Sequence, residues 1–318
     1  MEFRTKIAIT TPPVSLRHSS KVMMIGSCFT ESIGSRMADA MMGVSINPLG
    51  TLYNPASIAT AVGRIVSLRL VEQQELIEAN GVWNSLDFHS RYSRATREEA
   101  IEAMNTSITA AHEHLSRCQA AFITLGTAFV YTRRGVIVGN CHRLPSAQFD
   151  RRMLTAVEVA GFLENIATTL TRFNPQLKIV FTVSPIRHLA DGLSDNCLSK
   201  STLRVAIDET VKRHQSTCSY FPSYEILVDD LRDYRFYAAD MVHPSDVAVE
   251  YIWQLLKAAC FDTESLELIE RCEKMTKRLR HRPMSHNPAV VERFNAETQA
   301  ALDVLTAQYP YIAGNIAR

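Results

Sequence analysis

Three side chains far apart in this chain have the types that nucleophilic acyl transfer requires. Ser27 follows Gly26 at the end of the apolar run 21–26, and Asp240 stands three residues before His243. A glycine lets the backbone turn sharply after a strand. The hydroxyl is then held at the carboxyl edge of a sheet, and the amides that follow belong to a helix N-terminus able to stabilise an oxyanion. A separation of three residues lets the Asp240 carboxylate fold back onto Nδ1–H of His243, leaving Nε2 to face a nucleophile. Taken singly, Gly-Ser after a strand is also an ordinary tight turn, and Asp-x-x-His an ordinary cap or surface pair. Together they supply nucleophile, base and orienting carboxylate. Cys28 is the rival nucleophile, because a thiol beside a helix N-terminus is competent. Adjacent side chains at such a turn point in different directions, so only one of the two can face His243.

The elements that would position these residues can be read from periodicity. Apolar runs at 22–25, 44–46, 121–125 and 179–183 suit buried strands, and helical patterns occupy 31–42, 55–68, 97–117, 157–172 and 200–214. Strands alternating with helices imply an α/β fold, a parallel sheet covered on both faces. Ligands of such sheets bind beyond the carboxyl ends of the strands, where Ser27, Gly50, Gly126 and Ser184 emerge. Segments 75–88 and 129–138 carry Asn80-Gly81 and Arg134-Gly135 turns between alternating residues and predict two β-hairpins near the mouth of the site. Pro244-Ser245 restarts a helix, so His243 is expected in the loop before it. From residue 261 the composition changes to a charged helical tail over 264–308, broken at Pro283 and Pro288. The expected division is therefore 1–260 and 261–318. The tail packs either on the domain or on a second subunit, the latter giving a homo-oligomer.

Composition narrows the partners. The 318 residues are 46% hydrophobic, enough for a substantial core, and 34 basic side chains against 33 acidic ones leave no field to draw in nucleic acid or an anionic membrane. Residues 1–7 lack a signal-peptide core and no segment approaches the roughly 20 apolar residues of a membrane span, so the expectation is a soluble cytoplasmic protein. Seven cysteines without a C-x-x-C pair argue against a disulfide framework or a zinc knuckle. His89, His142 and His188, the last beside Arg187, fall in segments able to line a pocket. They lack the close spacing of a metal triad, which leaves structural hydrogen bonds or substrate contact, with no metal or organic cofactor. Tyr53, Trp83, Tyr131, Tyr234 and Tyr237 form either a sugar-stacking wall or core packing, and Arg232, Asp233 and Arg235 brace the loop that carries Asp240.

Gly26-Ser27-Cys28-Phe29-Thr30 resembles the signature of the GSCFA family, with Thr30 where alanine is usual, and that family resembles the SGNH (GDSL-like) hydrolases. Residues 47–55, 124–128, 140–142, 182–188 and 232–244 look like further blocks, so the resemblance covers roughly 1–260. It implies a three-layer α/β/α, flavodoxin-like domain carrying the two hairpins, with the helical extension after it. It also implies Ser27 as nucleophile, Asp240 and His243 as the D-x-x-H pair, and an oxyanion hole built from the amides of Ser27 and Gly50. Cys28 then packs inward. Gly126-Thr127-Ala128 departs from the pattern of the SGNH enzymes, which usually have an asparagine shortly after a glycine behind the third strand, so the third donor is either the Thr127 hydroxyl or Asn140 reaching in from the hairpin. One such donor is worth on the order of 10²–10³ in rate.

The expected activity is hydrolysis of a small-molecule or carbohydrate ester through an acyl-enzyme, with removal of a small acyl group from a carbohydrate-like alcohol as the specific form. The alternatives are an acyltransferase using the same triad, and a glycan- or metabolite-binding module that keeps the scaffold without turnover.

Overall fold

The computed structural model describes residues 4–9, 13–284 and 286–316; the leader expectation falls partly on residues outside these. A central sheet is built from β1 (Val22–Gly26), β2 (Val44–Ile46), β5 (Ala120–Leu125), β9 (Lys178–Val183) and β10 (Cys218–Tyr220). All its pairings are parallel, in the order β10-β9-β5-β1-β2. The order reverses between β1 and β5, so their carboxyl ends diverge into a crevice.

The strands alternate their side chains between two cores. Met23, Ile25, Ile123 and Phe181 face one layer with α2 (Pro55–Val66), α3 (Arg97–Leu115), α4 (Ala156–Phe173) and α5 (Gly192–Arg213). Val22, Met24, Phe122 and Val180 face the other with α1 (Cys28–Asp39), α7 (Asp246–Cys260) and α8 (Thr263–Arg280). The arrangement is the α/β/α sandwich expected.

Both hairpins form where the turn dipeptides predicted. β3 (Leu76–Ala79) pairs with β4 (Val82–Ser85), and β6 (Phe129–Arg133) with β7 (Val136–Val138), with Asn80, Gly81, Arg134 and Gly135 all at positive φ. A third strand, β8 (Asp150–Met153), adds to β6. Beyond β10 lie a single turn, α6 (Ser223–Glu225), and a π-helical stretch, Ile226–Leu231, before α7. The tail forms α8 and α9 (Pro288–Gln308), and α8 packs on the domain itself, with Ile269 in the core that holds Trp253. Among the described residues no helix is long and apolar enough to cross a membrane.

Candidate active site

Gly26 closes β1 opposite Thr124 of β5, and its φ of +150° belongs to glycine. A Cβ there would lie 2.1 Å from the Thr124 carbonyl oxygen. Asn47, fully buried, fixes this end of the strand: its Oδ1 accepts from the Gly26 amide at 2.8 Å while its own amide donates to the Met24 carbonyl. The chain then enters α1 with Ser27 as the extended N-cap residue.

This turn decides which of the two candidate nucleophiles meets the base. Ser27 is 1% exposed, its amide donates to the Thr124 carbonyl, and its hydroxyl oxygen has no hydrogen-bond partner among the described residues. Cys28, the first residue of α1, faces the opposite way, with Sγ 3.8 Å from Nε2 of His243. The expectation that Ser27 would face the imidazole and Cys28 pack inward is not met: the Ser27 side chain is buried without a hydrogen bond among the described residues, and it is Cys28 that lines the crevice beside His243.

Asp240 and His243 behave as their spacing predicts. Asp240 Oδ2 accepts from Nδ1 of His243 at 2.7 Å, and Oδ1 accepts from the amides of Val242 (2.9 Å) and His243 (3.0 Å). A carboxylate only accepts, so Nδ1 carries the proton, and it is the neutral form of the ring that presents an Nε2 lone pair to sulfur. The two backbone amides, followed by the imidazole, hold the Asp240 carboxyl down at about 2. The loop closes through Ala238 N–H to the His243 carbonyl and a bridge between Tyr237 and Pro244, and Met241 takes a positive φ to complete it. Both side chains are about half exposed.

Burial pushes the Cys28 thiol up, and Glu31 adds to this; its own amide, the Lys200 ammonium and the Phe29 amide pull it down. The resting sulfur is thus a thiol beside a base. Around it opens a cleft of about 670 Å³ walled by Tyr53, Phe129, Tyr131, Phe149 and Ile186, with Asn54, Asn140, Arg187 and His188 as its polar points.

The remaining expected residues divide between cleft and frame. The Gly50 amide donates to the Asn47 carbonyl at 2.7 Å, and Gly50 packs on His89; both amides expected in the oxyanion hole, those of Ser27 and Gly50, are therefore already bonded to carbonyls. Thr127 reaches the cleft, but its hydroxyl is shared with Ser199 and accepts from the Phe129 amide. Asn140 lines the cleft with Oδ1 taken by the His142 amide, which turns its amide group outward. His188 also lines it; its Nε2 is buried without a partner among the described residues, and burial, reinforced by Lys200, lowers it to about 4, so the ring is neutral. Arg187 lies 3.9 Å over the Tyr237 ring and forms no ion pair among the described residues. His142 and His89 stand outside the cleft: His142 is buried with Nε2 on the Ser85 carbonyl, and His89 caps a short turn through Nδ1. Of the aromatic wall, Tyr53 and Tyr131 reach the cleft, Tyr234 and Tyr237 lie beneath Arg187, and Trp83 carries Arg97 on its face. Arg235 pairs with Asp233 at the start of the Asp240 loop.

Two residues at the site escaped sequence reasoning. Asn54 caps α2 by accepting from the Ser57 amide, and its amide group is thereby left to face the cleft. Asn-Pro is a legible helix start; the second use of the side chain is not. Lys200, fully buried, donates to the carbonyls of Gly126 (2.6 Å) and Ser184 (2.7 Å), the residues just after β5 and β9. Among the described residues no group of three or more His, Cys, Asp and Glu side chains could hold a metal ion.

The profile of the GSCFA family matches residues 21–256, most of the sequence and all of the site just described. The chain belongs to the GSCFA family. No curated protein sequence matches this GSCFA protein. Solved structures similar to it include a putative platelet activating factor from Streptococcus pneumonia, at 11% identity and TM-score 0.39, covering 76% of this chain and 82% of that one. A carbohydrate esterase family 3 protein from Talaromyces cellulolyticus is similar at 10% identity and TM-score 0.38, covering 79% and 99%. A carbohydrate esterase family 2 enzyme with a carbohydrate-binding domain from Corynascus thermopiles (Myceliophthora fergusii) gives 14% identity and TM-score 0.40, covering 78% and 68%.

Proposed function

We propose that this GSCFA protein is an ester hydrolase working by acyl transfer to Cys28. The observation that carries the reading is the continuous line from Asp240 Oδ2 through the His243 ring to Cys28 Sγ. His243 Nε2 takes the thiol proton as sulfur attacks the acyl carbonyl, and Asp240 stabilises the imidazolium. The tetrahedral oxyanion is met by donors at the α1 N-terminus, where the Cys28 and Phe29 amides precede the first helical acceptor, and by the outward amide groups of Asn54 or Asn140. Collapse expels the alcohol, which leaves with the Nε2 proton. A water deprotonated by His243 then attacks the thioester, releasing the acid and returning the thiol. The half-exposed base loop supports water as the acceptor over a second alcohol.

The alcohol we favour is carbohydrate-like, because Phe129, Tyr131 and Phe149 give the cleft aromatic faces that match the apolar faces of a pyranose. Seven free cysteines, the nucleophile among them, suit a reducing compartment such as the cytoplasm. The test is a panel of aryl and sugar acetates with wild type, Cys28→Ala and Ser27→Ala. The thiol-deleted variant should lose turnover while the serine variant keeps it. Full activity in Cys28→Ala would remove the mechanism, and loss confined to Ser27→Ala would return the nucleophile to the serine.

A further inference from the structure

The cleft beside Cys28 carries one charge that nothing answers. Arg151 on its wall meets Asp191, and the His243 ring meets Asp240. Burial holds His188 neutral and keeps the Cys28 sulfur a thiol. Arg187 remains. It follows β9, lines the cleft half-buried, and forms no ion pair among the described residues. Stacking on a ring does not by itself account for this. Arg4, Arg151 and Arg204 also lie over aromatic rings, and each meets a carboxylate as well: Asp230, Asp191 and Glu225. Arg97 and Arg271 stack without one, but both are exposed and neither lines the cleft.

The guanidinium carbon of Arg187 lies 3.9 Å from the centre of the Tyr237 ring and 5.2 Å from that of Tyr234, so its flat face rests on aromatic surface. Burial pushes the Tyr237 hydroxyl up against the pull of Arg187, so the ring beneath supplies no negative charge. Stacking occupies the face of a guanidinium and leaves its edge, where the N–H donors lie, for a ligand. Among the described residues that edge makes one long contact, 3.5 Å to the Met241 carbonyl. The Arg187 amide donates to the Val242 carbonyl at 3.2 Å, so backbone and side chain are both tied to the loop that carries His243. Val242 and His243 line the same cleft. A negative group held by Arg187 is therefore held beside the base. With 34 basic and 33 acidic side chains the chain exerts no general pull on anions, so the attraction belongs to this wall.

We propose that Arg187 is a specificity-determining anion anchor, and that the ester taken by this cleft carries a carboxylate or phosphate group on its carbohydrate-like alcohol. The planar fork of an arginine matches either oxyanion with two parallel N–H donors, while the aromatic wall takes the apolar face of the ring. The substrate class rests on the cleft being the ester-hydrolase site proposed above; the anion site itself does not.

The experiment compares two alkylating reagents of similar shape and different charge, iodoacetate and iodoacetamide, at Cys28 of the full-length protein by peptide mass spectrometry. The ratio of their rates cancels the reactivity of the thiol and reports the pull on a carboxylate. Exposed Cys197 is the reference in the same sample. The ratio at Cys28 should exceed that at Cys197 in the wild type, fall about two- to fivefold in Arg187→Gln, and stay near wild type in Arg187→Lys. A residue that only braced the base loop would change both rates alike, so an unchanged ratio in a folded Gln variant overturns the proposal. The second arm needs no variant and separates the two oxyanions. Glucuronate, glucose 6-phosphate and neutral glucose are compared, at matched ionic strength, for protection of Cys28 against iodoacetamide. At least one charged sugar should protect at about tenfold lower concentration than glucose, the size of a hydrogen bond to a charged group, and the stronger of the two identifies the anion. Equal protection by all three, or none by any, also overturns the proposal. Neither arm uses turnover. An anion-selective cleft in a protein whose Cys28→Ala variant still hydrolyses esters would sink the function reading alone, and a Cys28-dependent esterase without charge preference would sink this proposal alone.

Discussion

Asp240 holds its base with both oxygens, one fixing the backbone of the loop and the other the tautomer of the ring. Asp240→Asn keeps an acceptor for the amides but cannot hold the imidazolium, so kcat in an ester assay should drop by about 10³-fold or more with little change in melting temperature. Gly26→Ala is the opposite kind of change. The new Cβ would meet the Thr124 carbonyl in a backbone region closed to alanine, and unfolding titrations should show a loss of at least about 3 kcal/mol. The base pair was readable because its geometry is local: three residues of spacing suffice to fold a carboxylate onto its own neighbour. Which side chain stands beside that base was not, since Gly-Ser-Cys offers two adjacent candidates and the choice depends on which of them the N-cap turn buries. The oxyanion donors escaped for a related reason, because whether the Gly50 amide is free depends on a turn closing onto the Asn47 carbonyl.

The first turns of α5 join the site to the sheet. Asn196, Ser199 and Lys200 share a buried polar face that holds the loops after β5 and β9. Ser199→Ala leaves the Ala128 amide without its acceptor and should cost about 1–3 kcal/mol by thermal or urea unfolding, the usual penalty for an orphaned buried donor. The expected helix over 200–214 began too late, because Gly192, Ser194, Asp195 and Asn196 are loop-favouring residue types, although they form the first turns of α5 and Asn196 turns inward to accept from the His188 amide. The hairpins were legible from their Asn-Gly and Arg-Gly turns. β8 was not, since Asp150-Arg-Arg-Met is largely exposed and held only by pairing with β6, and the three residues of β10 are too few to carry a period.

Across the molecule, His18, His89, His114, His142 and His188 are all displaced downward from the ordinary imidazole value of 6.5, each chiefly by burial. An unfolded chain binds protons at these rings before the folded one does, so their contribution to stability is complete above pH 6.5 and is lost as pH falls toward the folded values, about 4 for His188. Urea midpoints should therefore decline between pH 6.5 and 4.5, a window above the range where the lowered carboxylates titrate, and His188→Gln should flatten that decline. The proposed nucleophile, Cys28, sits at a junction of sheet and helix with its strand end fixed by buried hydrogen bonds, whereas the proposed base, His243, sits on a surface ring of a few residues. Local opening of such a ring requires far less free energy than global unfolding. Mild heating should thus silence catalysis while circular dichroism still reports an intact protein, and an alkylating dye would go on finding its sulfur in molecules that had already stopped working.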